Sequence, residues 1–393
     1  MTMNMIGAST RAVHEGERHH QTSDAITTPI HQTATYWFRD SEELRAFQEG
    51  RLQRDEYGRY GNPTVRAVER KLAAMEHAEE ALLFASGMCA TTTTFLALMP
   101  KGGHLILTSD CYRRTRQFCD EFLSKMDVRM SVIEAANVEA LDGAITDDTT
   151  LFFTELPTNP YLRVLDLPEA ARIAHRRGVK VVVDSTFATP ALHRALDDGA
   201  DLVVHSATKY LGGHNDLLAG AAVGGGELIE TVRKALGILG GIIAPNDAYL
   251  LLRGLKTLDL RMERHNRNAH SIARFLEGHD KIRRVFYPGL ESHPDHDVAT
   301  RLLRGFGGVV TFEVEGDYDA TVRFVDRCQV PYIAPSLGGV ESLIEMPVLM
   351  SYWDQTPEAR LRFGITDSLV RYSCGIEDTV DLIDDIEQAL RSV

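Results

Sequence analysis

The sequence predicts an α/β fold: a mainly parallel sheet of the seven-stranded type sandwiched by helices, followed by a smaller α+β domain. Three observations carry this. Short apolar, β-branched runs alternate with stretches of helical spacing from about residue 62 onward, the pattern of successive β-α units. Two of these runs, Val179-Lys-Val-Val-Val-Asp184 and Leu202-Val-Val-His205, are almost wholly apolar, as strands buried on both faces are. Both end on chemistry-bearing side chains, with Asp184 closing one and Ser206, Thr208 and Lys209 following the other. Ligands of open α/β sheets sit outside the carboxyl ends of the strands.

Residues 1–60 are polar and irregular, with few periodic apolar stretches. Such a segment cannot build a core of its own and is expected to lie as an arm against other surfaces. His19-His20 within it is read as a solvated pair rather than a metal site. The first residues lack a basic region followed by an apolar core, so no signal peptide is expected. Regularity begins at Asn62. Val65, Val68, Leu72 and Met75 recur at helical spacing, with Pro63 at the helix start. Ala81–Ala85 reads as a strand, Ser86-Gly87 as a turn and Met88–Leu98 as a helix. A strand, a tight turn and a helix N-terminus together offer free N–H groups and a favourable dipole to an anion.

Further strands are expected at His104–Thr108 and Leu151–Thr154, and a helix at Leu167–Arg177 leads into the strand ending on Asp184. After Lys209 come Gly212-Gly-His-Asn-Asp216 and another buried strand, Leu218–Val223. A Gly240-Gly241 break follows. The character changes near Arg253-Gly254 to a long charged helix, Leu258–His270. The strand Val309–Val314 and an acidic amphipathic helix, Thr379–Leu390, belong to the smaller domain. The expected organisation is an arm over 1–60, a cofactor-binding domain over 61–255 and an α+β domain over 256–393. No G-x-G-x-x-G follows any strand, and Gly224-Gly-Gly226 lacks that spacing, so a dinucleotide site is not indicated.

The net charge of −14 over 393 residues disfavours nucleic acid and anionic membranes as partners. Five cysteines, Cys89, Cys111, Cys119, Cys328 and Cys374, form no CxxC pair. They suggest neither a disulfide framework nor a zinc knuckle, and fit a reducing cytoplasm. No run approaches the length of a membrane helix.

A lysine after a strand is ordinarily a solvated end-of-strand residue. Its company changes the reading. A carboxylate, two hydroxyls and an amine at adjacent strand ends are what pyridoxal 5'-phosphate (PLP) requires. The carboxylate keeps the pyridine nitrogen protonated, the hydroxyls take the phosphate and the amine condenses with the aldehyde.

Several motifs, in order along nearly the whole chain, then resemble the PLP-dependent enzymes of cysteine and methionine metabolism. They are Tyr57-Gly-Arg59-Tyr-Gly61-Asn62-Pro63-Thr64, Ser86-Gly87-Met88, Asp110-Cys-Tyr112, Thr158-Asn159-Pro160, Asp184-Ser-Thr186-Phe187, Ser206-Ala-Thr208-Lys209-Tyr-Leu-Gly-Gly-His214, Ser336-Leu-Gly-Gly-Val-Glu341-Ser342 and Arg371-Tyr-Ser-Cys-Gly-Ile-Glu377. Ala85-Ser-Gly-Met-Cys-Ala90, Asp110-Cys-Tyr-Arg-Arg-Thr-Arg116, Pro331-Tyr-Ile-Ala-Pro335 and Met350-Ser-Tyr-Trp-Asp354 are similar to the plant-type cystathionine γ-synthase branch. The resemblance implies the PLP-dependent transferase fold of type I, with Lys209 as the covalent attachment point and proton carrier and Asp184 on the pyridine nitrogen. It implies Tyr112 stacked on the ring and assisting proton transfer. Ser86, Gly87, Met88, Ser206 and Thr208 lie at the phosphate, Thr186 in the cofactor shell and Asn159 near the ring oxygen. Tyr57 and Arg59 reach a neighbouring subunit's phosphate, which makes the active site a property of a dimer, and the resemblance implies a homotetramer built from such dimers. Arg371 clamps the substrate α-carboxylate, with Ser336 and Glu341, and Tyr57 and Asn159 also touch substrate. No metal is implied.

Two departures stand out. Tyr112-Arg113-Arg114 replaces the Tyr-Gly-Gly of most of the family, and Gly50 stands where plant enzymes carry a phosphate-binding lysine. The implied reaction is γ-replacement on an O-activated homoserine, acyl rather than phosphoryl, with cysteine, giving cystathionine. The alternative is γ-elimination from a methionine- or homoserine-like amino acid, canavanine among them, because both outcomes use the same residues.

Overall fold

A computed structural model describes residues 7–17 and 24–393. His19-His20 and the extreme N-terminus lie outside the described residues. Among these residues, twelve strands form two sheets. The first holds β1 (Glu80–Phe84), β2 (His104–Thr108), β3 (Arg129–Ile133), β4 (Thr149–Glu155), β5 (Lys180–Asp184), β6 (Leu202–His205) and β7 (Gly220–Gly224). Its order is β1-β7-β6-β5-β4-β2-β3. Every pairing from β6 across to β3 is parallel. β7 runs antiparallel to both its neighbours. The second sheet holds β8 (Ile282–Phe286), β9 (Val309–Val314), β10 (Tyr332–Ile333), β11 (Leu343–Glu345) and β12 (Leu369–Ser373), in the order β10-β11-β12-β9-β8.

Strand alternation divides the large sheet's side chains between two apolar layers. Val182 and Val204 face the side occupied by Ala90 and Phe95 of the helix Gly87–Leu98. Val181, Val183 and Val203 face the side covered by Leu167, Ala170 and Ala174 of the helix Leu167–Arg176. Phe95 meets Phe153 of β4 edge-on at 5.2 Å between ring centres, a favoured aromatic geometry. The central strands are thus dry on both faces, which is why β5 and β6 read as unbroken apolar runs. In β5 and β6 polar side chains appear only where the strands end.

Capping chemistry fixes the helices that matter for the site. Asn62 accepts hydrogen bonds from Thr64 N and Val65 N, with Pro63 in the first turn. Ser86 accepts from Cys89 N and starts the helix Gly87–Leu98.

Several features differ from the sequence reading. Ala8–His14 is a helix that buries Ala12. Ser41–Gln48 is a helix, capped by Asp40 accepting from Glu43 N; its residues are largely exposed, so no apolar spacing announced it. β3 is an unexpected edge strand whose side chains are only partly covered. The long helix runs to Glu277 rather than ending at His270. Leu218 is 64% exposed and lies before β7 rather than inside it.

The turn after Lys209 is braced from beneath. Buried Arg261, on the helix Leu258–Glu277, donates to Tyr210 O and to Gly254 O, both at 2.7 Å. Gly213 lies directly against it, at φ +75, and a Cβ there would stand 2.1 Å from Arg261 Nη1. Gly213→Ala is expected to cost about 1–3 kcal/mol through strain and displacement of that guanidinium. Thermal unfolding of the variant beside the parent protein checks it. No helix among the described residues is long and apolar enough to cross a membrane. None of them form a group of three His, Cys, Asp or Glu side chains able to hold a metal ion.

Candidate active site

Lys209 leaves the end of β6 and turns toward the second sheet. Its Nζ donates to Ser336 Oγ at 2.6 Å. Burial, and then the nearby Arg371 charge, push its pKa down to about 8, against an opposing pull from Glu345. An amine released from its proton that near neutrality is a usable nucleophile and base. Ser336 adopts a left-handed backbone conformation at φ +88, a strained state for a residue with a side chain. That conformation lets Ser336 serve two partners: its hydroxyl meets Lys209, and its carbonyl accepts from Arg371 Nη2 at 2.8 Å.

Arg371 sits on β12 and is buried. Besides Ser336 it reaches Asn159 Oδ1, 3.3 Å from Nη1, and Glu345 Oε1, 3.0 Å from Nη2. Glu345 stands opposite Arg371 in the β11–β12 register. Burial raises the Glu345 pKa, while Arg371 and Lys209 oppose the rise.

Asp184 closes β5. Thr186 N donates to its Oδ1 at 2.9 Å, and Thr186 Oγ1 accepts from Ser206 N at 2.8 Å. Thr186 therefore couples the carboxylate to the loop carrying Ser206. Desolvation raises the Asp184 pKa, against hydrogen bonds from Thr186 and the nearby His205. Across β4, Glu155 is in register with Asp184 and accepts from Tyr112 N. Tyr112 itself is 45% exposed and precedes the helix Arg113–Glu121. Arg113 ties this helix to the C-terminal segment, donating to Ser351 O and to Asp354 Oδ2, both at 2.7 Å.

Gly87 and Met88 head the helix Gly87–Leu98, whose first N–H groups have no partner inside the helix. A Cβ on Gly87 would fall 2.7 Å from Ser206 Cβ. The absence of a side chain lets the helix end and Ser206 form one cradle. Thr208 is engaged locally: its hydroxyl donates to Ala219 O at 3.2 Å and accepts from Ala219 N at 3.0 Å.

Three expected site residues lie apart from this constellation within one chain. Arg59 donates to Gly237 O at 2.7 Å and lies over the rings of Tyr57 and Tyr60. Tyr57 is 43% exposed beside it. Arg59 lines a separate cavity of about 800 Å³ with Tyr60, Asn62 and Ile238. Glu341 is exposed and accepts from Asn215 Nδ2 at 2.8 Å; the carboxylate that meets Arg371 is Glu345. The sequence reading missed Glu345 and Glu155. The available signal for each was a lone acid closing an apolar run, Leu343-Ile-Glu345 and Leu151-Phe-Phe-Thr-Glu155.

A half-buried amine, a carboxylate and the close approach of Gly87 to Ser206 lie beyond strand ends of the first sheet, with a buried arginine from the second sheet linked to the amine through Ser336. Residues 9–391 match the family model described as Cys/Met metabolism PLP-dependent enzyme. The chain belongs to that family. Among relatives, cystathionine gamma-synthase 1, chloroplastic, of Arabidopsis thaliana is 51% identical over 384 residues, covering 97% of this chain and 68% of that one. L-methionine gamma-lyase of Pseudomonas putida is 39% identical, covering 98% of each. The crystal structure of metB from Corynebacterium glutamicum superposes with a TM-score of 0.93 at 38% identity, covering 100% of this chain and 99% of that one.

Members of the Cys/Met metabolism family are PLP-dependent enzymes, and the residues present fit that cofactor. Asp184 is a desolvated carboxylate, suited to a protonated pyridine nitrogen. The Gly87–Ser206 cradle leaves room that a side chain would fill, suited to a phosphate. Lys209 is an amine with a depressed pKa, suited to an aldehyde.

Proposed function

We propose that this enzyme catalyses γ-replacement on an O-acyl homoserine with cysteine, giving cystathionine. The observation that carries the proposal is the Lys209–Ser336–Arg371 chain of hydrogen bonds. It ties the proton-carrying amine to the carboxylate clamp through one residue. PLP would be held by Lys209, by Asp184 at the ring nitrogen and by Tyr112 over the ring face. Gly87, Met88, Ser86, Ser206 and Thr208 would hold its phosphate, Thr186 braces Asp184, and Asn159 would contact the cofactor as well as Arg371. When bound, PLP supplies an electron sink conjugated to the substrate's α-carbon.

The chain's own residues do the rest. Arg371 binds the α-carboxylate with two parallel N–H donors, a geometry lysine cannot reproduce. Its link to Ser336 O sets the substrate's Cα within reach of Lys209 Nζ. Lys209 Nζ takes the α-proton and moves protons at Cβ and Cγ as the acyl carboxylate leaves Cγ with its bonding electrons. In replacement, the cysteine thiol loses its proton and forms the new bond to Cγ. In elimination, no thiol adds, a proton is returned to Cγ, and the released C4 enamine tautomerises to the imine, which water hydrolyses to 2-oxobutanoate and ammonia. An acyl rather than phosphoryl leaving group is supported by Gly50, an exposed turn residue at φ +74 with open space where a Cβ would stand. It offers no cation to a phosphate.

Tyr57 and Arg59 serve the phosphate of a neighbouring subunit in this reading, with Tyr57 also near substrate and Glu341 orienting it. Their distance in the fold from the Lys209 cluster supports a shared site, as does the 83% exposure of apolar Ile238 beside Arg59's cavity. We place the enzyme in the cytoplasm as a homotetramer. An arm over 1–60, a PLP-binding domain over 61–255 and an α+β domain over 256–393 complete it.

γ-Elimination is the second reading, favoured by the methionine γ-lyase among the relatives. Assays of O-acyl homoserine with and without cysteine distinguish the two. Cystathionine should dominate when cysteine is present, with 2-oxobutanoate forming more slowly in its absence. A rate and product unchanged by cysteine would reject replacement.

A further inference from the structure

Glu155 has no part in the chemistry described so far, yet it lies between two residues that do. It closes β4 in register with Asp184 on β5. Only 5% of it is exposed. Its Oε1 accepts the backbone N–H of Tyr112, the residue at the head of the helix Arg113–Glu121, where no side chain provides a cap. The titratable groups facing it are the carboxylates of Asp184 and Asp110, the Cys111 thiol and the Tyr352 phenol. Desolvation of Glu155 and repulsion from neighbouring Asp184 act together to raise the Glu155 pKa, whereas His205 favours the charged form of Asp184. With a protonated ring nitrogen against Asp184, the charge stays there, and Glu155 is the partner that keeps a proton.

We propose that Glu155 is a positioning residue: as a neutral acid it anchors the Tyr112 backbone and so fixes the tyrosine ring relative to the carboxylate of Asp184. This rests on the reading of Tyr112 and Asp184 as cofactor contacts. Three links follow from it. The anchor sets where Tyr112 begins its helix. Its neutrality leaves Asp184 as the charged member of the Glu155–Asp184 pair. Its reach across the β4–β5 pair makes the spacing of Tyr112 and Asp184 a property of the sheet rather than of the loop.

Two substitutions of similar volume separate these roles. E155Q keeps a neutral hydrogen-bond acceptor, whereas E155M fills the space without one. The readout is the circular dichroism of the visible PLP band in the holoenzyme, which reports how the ring is seated, together with kcat and KM. In E155M the dichroism should fall and kcat/KM should drop by about 100-fold, the scale of a small misplacement at a reacting centre. E155Q should restore the dichroism and bring kcat/KM to within about threefold of the parent. E155Q as damaged as E155M would overturn the neutral form. A folded E155M with parental dichroism and kcat/KM would overturn the anchor, and if E155M does not fold, the E155Q result alone decides. Absence of any visible band in the unaltered protein would instead refute the cofactor reading itself.

Discussion

Replacing Lys209 with alanine removes the visible absorption of the covalently held cofactor and lowers turnover by about 10²–10⁴-fold, the usual worth of a positioned proton carrier. The loss is chemical rather than structural. Lys209 donates to Ser336 Oγ alone among the described side chains, and its burial penalises its own charge. Removing it relieves desolvation while leaving Arg371 all of its partners, Ser336 O, Asn159 and Glu345. Stability should therefore hold, and thermal unfolding of the apoproteins provides the control. The pH dependence has a definite sign. Below about pH 8 the amine is protonated and cannot attack an aldehyde; above it the free base predominates. Capture of added PLP by the apoprotein should accelerate as pH rises and level off above about pH 8. The same depression makes folding more favourable as pH rises from about 8 toward the ordinary lysine value, since the unfolded chain binds the proton more tightly. A capture rate flat between pH 6 and 9 would contradict the assignment of Lys209 as the attacking amine.

Arg371→Lys and Arg371→Ala separate recognition from stability. Lysine keeps a positive charge opposite Glu345 but loses the fork that matches a carboxylate. Its KM for the amino-acid substrate should rise about 10- to 100-fold, the range for one charged hydrogen bond, with kcat changed less. Alanine does more. It strands Glu345, which is 3% exposed, without its ionic partner 3.0 Å away. Breaking a buried pair in this way costs about 3–5 kcal/mol, so Arg371→Ala should lower the melting temperature as well as abolish saturation. Restoring stability with Arg371→Ala/Glu345→Gln, without restoring KM, would assign the two losses to their separate causes. An unchanged KM in Arg371→Lys would show that the α-carboxylate is held elsewhere.

The large sheet was legible because its central strands are dry on both faces. Val181–Val183 and Leu202–Val204 admit no polar side chain, and continuous apolar runs survive in a sequence as a plain signal. The helix Ser41–Gln48 and the edge strand β3 were not legible for the converse reason: both keep side chains in solvent, so no apolar period marks them.

The residues of the site divide along a similar line. Asp184, Ser206, Thr208 and Lys209 follow directly on strands, so their chemistry and place could be read together. Ser336 and Arg371 were legible through motifs, but their joint role was not. It depends on a left-handed backbone at Ser336 that aims one group at Lys209 and another at Arg371.

The sequence by itself determined the strand and helix alternation, the reactive amine with its carboxylate and hydroxyl companions, and through them the cofactor. Those features are local, written in neighbouring residues and in periods of two and 3.6. Only the tertiary structure decided that Glu155 lies beside Asp184, that Glu345 rather than Glu341 meets Arg371, and that Tyr57 and Arg59 stand apart from the lysine. Strand order sets those neighbours, and strand order follows from how apolar faces distant in the chain come to be buried together. A carboxylate's charge is then fixed by company that no stretch of sequence displays.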